Sequence, residues 1–143
     1  MKSALLEGLA EKTFALIFNT GDDVVPLILD FATQHRVTAA HFTAIGAFSS
    51  ATVGYFDWEK KQYLKIPVNE QVEVVSLIGD LALEKDKPKL HAHVVLGRRD
   101  GSLVGGHLME ARVRPTLEVM LTESPARLTR QMDPESGIAL IRL

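Results

Sequence analysis

The chain has 143 residues, 18 acidic and 16 basic side chains, a formal net charge of −2 and no cysteine, which excludes a disulfide framework and thiol chemistry. Its 46% hydrophobic and 24% charged residues are the balance of a soluble globular protein, and the length suits one domain over residues 1–143 with a core of its own. The acidic balance is the reverse of the basic excess with which a DNA-binding domain displaces counterions.

The basic residues at Lys60-Lys61, Lys85 to Lys89, Arg98-Arg99 and Arg112 with Arg114 are flanked by Glu59, Glu84, Asp86, Asp100 and Glu110, and read as solvated loops and faces. The opening run from Met1 to Leu6 is broken by Glu7, Glu11 and Lys12 before it could act as the apolar region of a signal peptide. No stretch is long and apolar enough to span a bilayer. A cytoplasmic protein is expected.

In chain order, Lys12 to Phe18 reads as a strand ended by the turn-prone Asn19-Thr20-Gly21. Asp22 or Asp23 is placed to cap a helix with Pro26 in its first turn. Val24, Leu27, Ile28, Phe31 and Ala32 form the apolar stripe, and the helix should stop near His35-Arg36, where His35 serves as a surface cap. Ala39 to Phe48, Ala51 to Trp58 and Tyr63 to Val68 follow as strands, with His41 read as a packed or edge histidine. Val72 to Leu83 is a longer strand in which Gly79 suggests a bulge. The chain then turns across Lys85-Asp86-Lys87-Pro88. Arg112 to Arg114 and Thr116 to Leu121 continue the sheet with Pro115 marking an edge or kink, and Ala126 to Met132 with Gly137 to Leu143 form a closing hairpin. The sum is an α+β domain, one main helix packed on a large, mostly antiparallel sheet, with strand edges or faces that symmetric oligomerisation could cover.

Three of the five histidines gather in the segment from Leu90 to His107. In Leu90-His91-Ala92-His93-Val94-Val95-Leu96 the alternation puts Leu90, Ala92, Val94 and Leu96 on one side and His91, His93 and Val95 on the other. Apolar residues on both sides suggest a central strand covered on each face, where an imidazole needs a partner. The position of His107 follows from the turn. A two-residue loop at Asp100-Gly101 would set it opposite Val94, on the wrong face. A three-residue loop Arg99-Asp100-Gly101, with Gly101 left-handed, would set it opposite His93. A bulge at Gly105-Gly106 could correct a two-residue turn instead. The three-residue turn is the favoured reading.

Three neutral imidazoles leave one tetrahedral position of a zinc ion open to water or to a small-molecule ligand, and with no cysteine available an all-histidine site suits zinc first, then copper, nickel or iron. No phosphate loop, Gly-x-Gly-x-x-Gly, Gly-x-Ser-x-Gly or His-Glu-x-x-His motif is present, so nucleotide-dependent and serine-hydrolase chemistry have no anchor. Ser49, Ser50 and Ser76 read as ordinary strand and turn serines.

The stretch Leu90 to Gly97, continuing through Asp100-Gly101-Ser102-Leu103-Val104-Gly105-Gly106-His107-Leu108, resembles the plants-and-prokaryotes-conserved (PPC) domain family. The resemblance extends to Phe42-Thr43-Ala44-Ile45-Gly46-Ala47-Phe48 and Ser76-Leu77-Ile78-Gly79, and covers the chain from the first strand to about Leu121. It implies a compact domain that forms homotrimers and, in prokaryotic members, often carries a metal at histidines here matched by His91, His93 and His107. In plants the domain accompanies an AT-hook, an Arg-Gly-Arg-Pro segment that enters the minor groove, and the family is labelled DNA-binding on that account. These 143 residues hold no such segment. The fold implied is also similar to that of acetolactate decarboxylase, a zinc enzyme.

Three readings follow. The first is a cytoplasmic, homotrimeric PPC-domain protein with zinc at His91, His93 and His107, a regulatory module with DNA as the partner the family suggests. The second is a zinc-dependent lyase or hydrolase. If the strand continues regularly, Glu110 has the wrong parity relative to His107, and the acid or base would be Glu73, Glu118 or a residue of a neighbouring subunit. The third is a metal-free structural trimer.

Overall fold

The computed structural model describes residues 1–7, 12–125 and 127–142. Ala126 and Leu143, at the ends of the expected closing hairpin, lie outside the described residues. The chain forms β1 (Lys2–Glu7), β2 (Lys12–Asn19), α1 (Val24–Gln34), β3 (Ala39–Asp57), β4 (Gln62–Val68), β5 (Val72–Glu84), β6 (Lys87–Gly97), β7 (Leu103–Glu123), β8 (Thr129–Met132) and β9 (Ala139–Arg142). This is an α+β architecture in which α1 packs against β6 and β7 of a nine-stranded sheet. The pairing of β5 with β8 is parallel and the other strand pairs are antiparallel.

Val24, Ile28, Phe31 and Ala32 are the buried stripe of α1. Asp23 is the N-cap, but its side chain makes no capping hydrogen bond; the Asp22 carboxylate instead accepts the Asn19 N–H at 2.9 Å. At the other end the His35 N–H donates to the Phe31 carbonyl at 3.0 Å, and its ring stacks on Phe31 at 4.2 Å.

Several expected strands merge. Ala39 to Phe48 and Ala51 to Asp57 are parts of the single β3, with Trp58 of the expected second strand already in the turn that follows, and Arg112 to Arg114 and Thr116 to Leu121 belong to β7. Pro115 sits where the β3–β7 register shifts, between Leu117 opposite Gly46 and Val113 opposite Phe48, a place where a residue without an N–H is tolerated inside a strand. Gly79 is not a bulge. The irregularity of β5 falls between Val74 and Ser76, while Gly79 pairs regularly with Phe42 and Ala92. A Cβ at Gly79 would lie 2.5 Å from the Phe42 ring, so the residue lets that phenylalanine lie across the strand.

Pairing β3 with β5, β5 with β6, β6 with β7 and β7 with β3 closes a ring in which each strand has a partner on both sides. Two tight turns set its registers. Lys85 and Asp86 both have positive φ, 51° and 62°, as a type I′ two-residue turn requires, so Glu84 faces Lys87 and both Lys87 and Pro88 belong to β6. Between β6 and β7 the loop is Arg99-Asp100-Gly101: Gly101 has φ +82°, and Arg98 N–H donates to the Ser102 carbonyl at 2.9 Å. No bulge interrupts this hairpin at Gly105-Gly106. Those glycines serve close approach instead, since a Cβ at Gly105 would lie 2.6 Å from the Val94 carbonyl oxygen and one at Gly106 2.6 Å from that of Gly54.

The alternation of β6 is sharply one-sided. Leu90, Ala92, Val94 and Leu96 enter the core, but the face bearing His91, His93 and Val95 is open in this chain rather than covered as expected. A cross-strand row on that face runs from His93 through Ile78, Thr43 and Met120 to Ala15, with Ile78 56% and Met120 43% exposed. Among the described residues no helix is long and apolar enough to cross a membrane.

Candidate metal centre

His91 and His93 share a face of β6 by strand parity, and the β6–β7 turn sets His107 directly opposite His93. One ring nitrogen from each of the three falls within 4.8 Å of the others, with ring centroids 5.1, 5.2 and 5.7 Å apart. His93 is exposed, whereas His91 and His107 are partly buried. Gly101, Gly105 and Gly106 stand around this geometry, the first by making the turn and the others by letting β6, β7 and β3 approach.

The His107 ring stacks on Tyr63 with centroids 4.7 Å apart. Its Nδ1 is buried and has no hydrogen-bond partner, an arrangement that is costly unless something coordinates or donates to that atom. Burial, reinforced by His91, His93, Lys89 and Arg130, pushes the His107 pKa down to about 4. Burial also lowers that of His91, with the Asp80 carboxylate opposing it. Both rings are therefore neutral at pH 7, the form in which imidazole binds a metal. The donor set fits a divalent transition ion: the three imidazoles of His91, His93 and His107 would hold it, and fewer than four protein ligands would leave room for a further one.

Asp80 stands opposite His91 on β5, with Oδ2 3.9 Å from Nδ1. That is an electrostatic contact rather than a hydrogen bond. The other oxygen of the carboxylate is ion-paired to the buried guanidinium of Arg130. The nearby carboxylate favours the protonated His91 ring electrostatically and opposes the effect of burial. Beside His91 and His107 lies a cavity of about 500 Å³ between β5, β6 and the β8–β9 hairpin, to which Asp80 and Glu84 contribute the acidic groups.

The acids considered from sequence lie elsewhere. Glu110 lines a separate hollow with Asp23 and Arg112, Glu73 pairs with Gly97, and Glu118 sits between Ile17 and Ile45. His41 faces Asp80 from β3 and is not in the three-histidine group. Asp80, Tyr63 and Arg130 were not singled out from sequence. Asp80 had a usable signal: counting back from a two-residue Lys85-Asp86 turn puts 80 opposite 91. Tyr63 and Arg130 arrive from β4 and β8, distant in sequence, and carry no local pattern.

A single main helix on a large, ring-closed antiparallel sheet, with three imidazoles converging on one sheet face, defines the class as a small α+β domain of candidate metal-binding type. The chain belongs to the Plants and Prokaryotes Conserved (PCC) domain family, whose family model matches residues 6–125. A plant- and prokaryote-conserved protein of Pyrococcus horikoshii is 31% identical, with a TM-score of 0.86 over 99% of this chain and 95% of that one. A metal-containing protein of Archaeoglobus fulgidus is 37% identical, with a TM-score of 0.85 over 100% of both chains. A Ralstonia eutropha protein that bears the name "Putative DNA-binding protein" is 30% identical, with a TM-score of 0.86 over 91% of this chain and 90% of that one. The fold likeness to acetolactate decarboxylase is also present: a Staphylococcus aureus protein described as similar to that enzyme superposes with a TM-score of 0.58 at 9% identity, over 80% of this chain and 52% of that one. No curated protein matches the sequence.

The depressed His107 pKa has a consequence for the metal-free protein. Unfolding restores the ordinary value of 6.5, so between about 6.5 and about 4 the unfolded chain binds the extra proton and stability falls with falling pH. Urea midpoints of chelator-treated protein at pH 7 and pH 5 should show this loss, and His107→Gln should shrink it. An equal pH dependence in the two proteins would contradict the burial of His107 as its source.

Proposed function

We propose that this protein is a one-domain PCC-family module that binds a divalent transition metal, zinc first, through His91, His93 and His107. The observation that carries the reading is the convergence of three ring nitrogens within 4.8 Å, one ring being held neutral with a buried, unpartnered nitrogen. The Archaeoglobus relative, named as metal-containing, supports it. Bound zinc would supply a Lewis acid with one position free for an incoming ligand. Tyr63 stacks on the His107 ring, and Asp80, itself held by Arg130, sets a negative charge beside His91.

The assembly we propose is a cytoplasmic homotrimer. Ile78, Met120 and Ile45, 56%, 43% and 61% exposed, lie on the open sheet face beside the histidines, and a repeated self-contact would cover them. DNA is the partner suggested by the name of the Ralstonia relative; the net charge of −2 argues against tight direct binding. The alternative is a zinc-dependent lyase or hydrolase of a small molecule, and the cavity beside the histidines, with Asp80 and Glu84 on its wall, favours it.

Purified protein should contain close to one metal equivalent per chain, and the His91→Ala, His93→Ala double variant almost none, by plasma mass spectrometry. Equal contents would remove the site. Sedimentation equilibrium should give three chain masses, and Ile78→Glu should shift the protein to the monomer; a monomeric wild type would contradict the trimer. In a mobility-shift assay at physiological salt, no saturable shift is expected at sub-micromolar protein. A saturable, salt-sensitive one would establish direct DNA binding and overturn the argument from charge.

A further inference from the structure

The cavity beside His91 and His107 has a wall and a charge balance that together specify a ligand. Met132, Ile138, Leu140 and Ile141 form the apolar side, and Asp80, Glu84, Lys89 and Arg130 are its charged lining groups. These four are already matched. Arg130, its side chain 6% exposed, is ion-paired with Asp80, and Lys89 lies 3.9 Å from Glu84. The lining charges therefore cancel, two cations against two carboxylates, and the imidazoles of His91 and His107 and the phenol of Tyr63 are the other polar groups on the wall. Loading a divalent ion onto three neutral imidazoles would give the cavity an excess of two positive charges with no protein carboxylate free to offset it.

We infer that the metal-loaded cavity binds a small aliphatic carboxylate, with the carboxylate at the position the three histidines leave open and the hydrocarbon against Met132, Ile138, Leu140 and Ile141. This rests on the metal reading of the same site. A volume of about 500 Å³ accommodates a short-chain acid. Phosphate fits less well: it has no hydrocarbon to bury against the apolar wall, and the two lining cations that could grip its additional oxygens already have partners. The apolar wall makes affinity depend on chain length, about fourfold for each methylene buried.

Cobalt(II)-loaded protein provides the test, because the visible absorption of the ion reports both its own binding and the arrival of a fourth ligand. Acetate, propionate, butyrate and valerate should each shift the spectrum saturably, with affinity rising about fourfold per methylene. Inorganic phosphate should bind more weakly than butyrate. Leu140→Ser, at a position 37% exposed in the folded chain, should keep the cobalt spectrum and flatten the chain-length series; Met132→Ser, at a position 63% exposed, should do the same. If the starting protein shows no histidine-bound cobalt spectrum, the metal reading fails and the ligand with it. If the spectrum forms but carboxylates leave it unchanged, bind without dependence on length, or bind more weakly than phosphate, the carboxylate proposal alone is overturned.

Discussion

The parity of two tight turns governs everything at the candidate centre. Because side chains alternate along a strand, a one-residue change in either turn would carry a whole set of side chains to the opposite face. Lys85-Asp86 brings Asp80 beside His91, and Arg99-Asp100-Gly101 brings His107 beside His93. The ring of β3, β5, β6 and β7 locks those registers, since a strand paired on both sides cannot slip without breaking two ladders. Glycines at 105 and 106 permit the close strand contacts that the arrangement needs.

Burial then gives the three histidines different characters although they share a face. His93 remains exposed, His91 feels an opposing carboxylate, and His107 is desolvated, stacked on Tyr63 and kept neutral. The Arg130–Asp80 pair is buried on one side only, and its place is beside the histidine row rather than in the core. Buried ion pairs contribute little to stability on balance, so its physical effect here is positional: a carboxylate held by arginine has little freedom to move away from His91.

The same sheet face joins two demands. It carries the metal-ligating candidates, and it exposes a row of apolar side chains that a monomer in water would leave unsatisfied. A covering subunit would shield both. The proposed metal and the proposed trimer thus draw on one surface, while the cavity between β5, β6 and the β8–β9 hairpin opens beside His91 and His107 within the chain.

Local pattern alone was sufficient for the helix stripe and the alternation that sets His91 and His93 together, because each is written within a few residues; it favoured the Arg99-Asp100-Gly101 turn but left a two-residue turn with a bulge at Gly105-Gly106 open, which the observed register decides. It was sufficient for the class as well, one helix on a mostly antiparallel sheet. It did not reveal that Gly79 serves Phe42 rather than a bulge, that β3 and β7 run unbroken through their irregularities, or that the histidine face lies open. Those outcomes depend on which strand lies alongside which. Tyr63 and Arg130 reach the centre only through such pairings, across more than twenty residues of chain in each case. Alternation along one strand decides which way a side chain points; only the assembled sheet decides what it meets there.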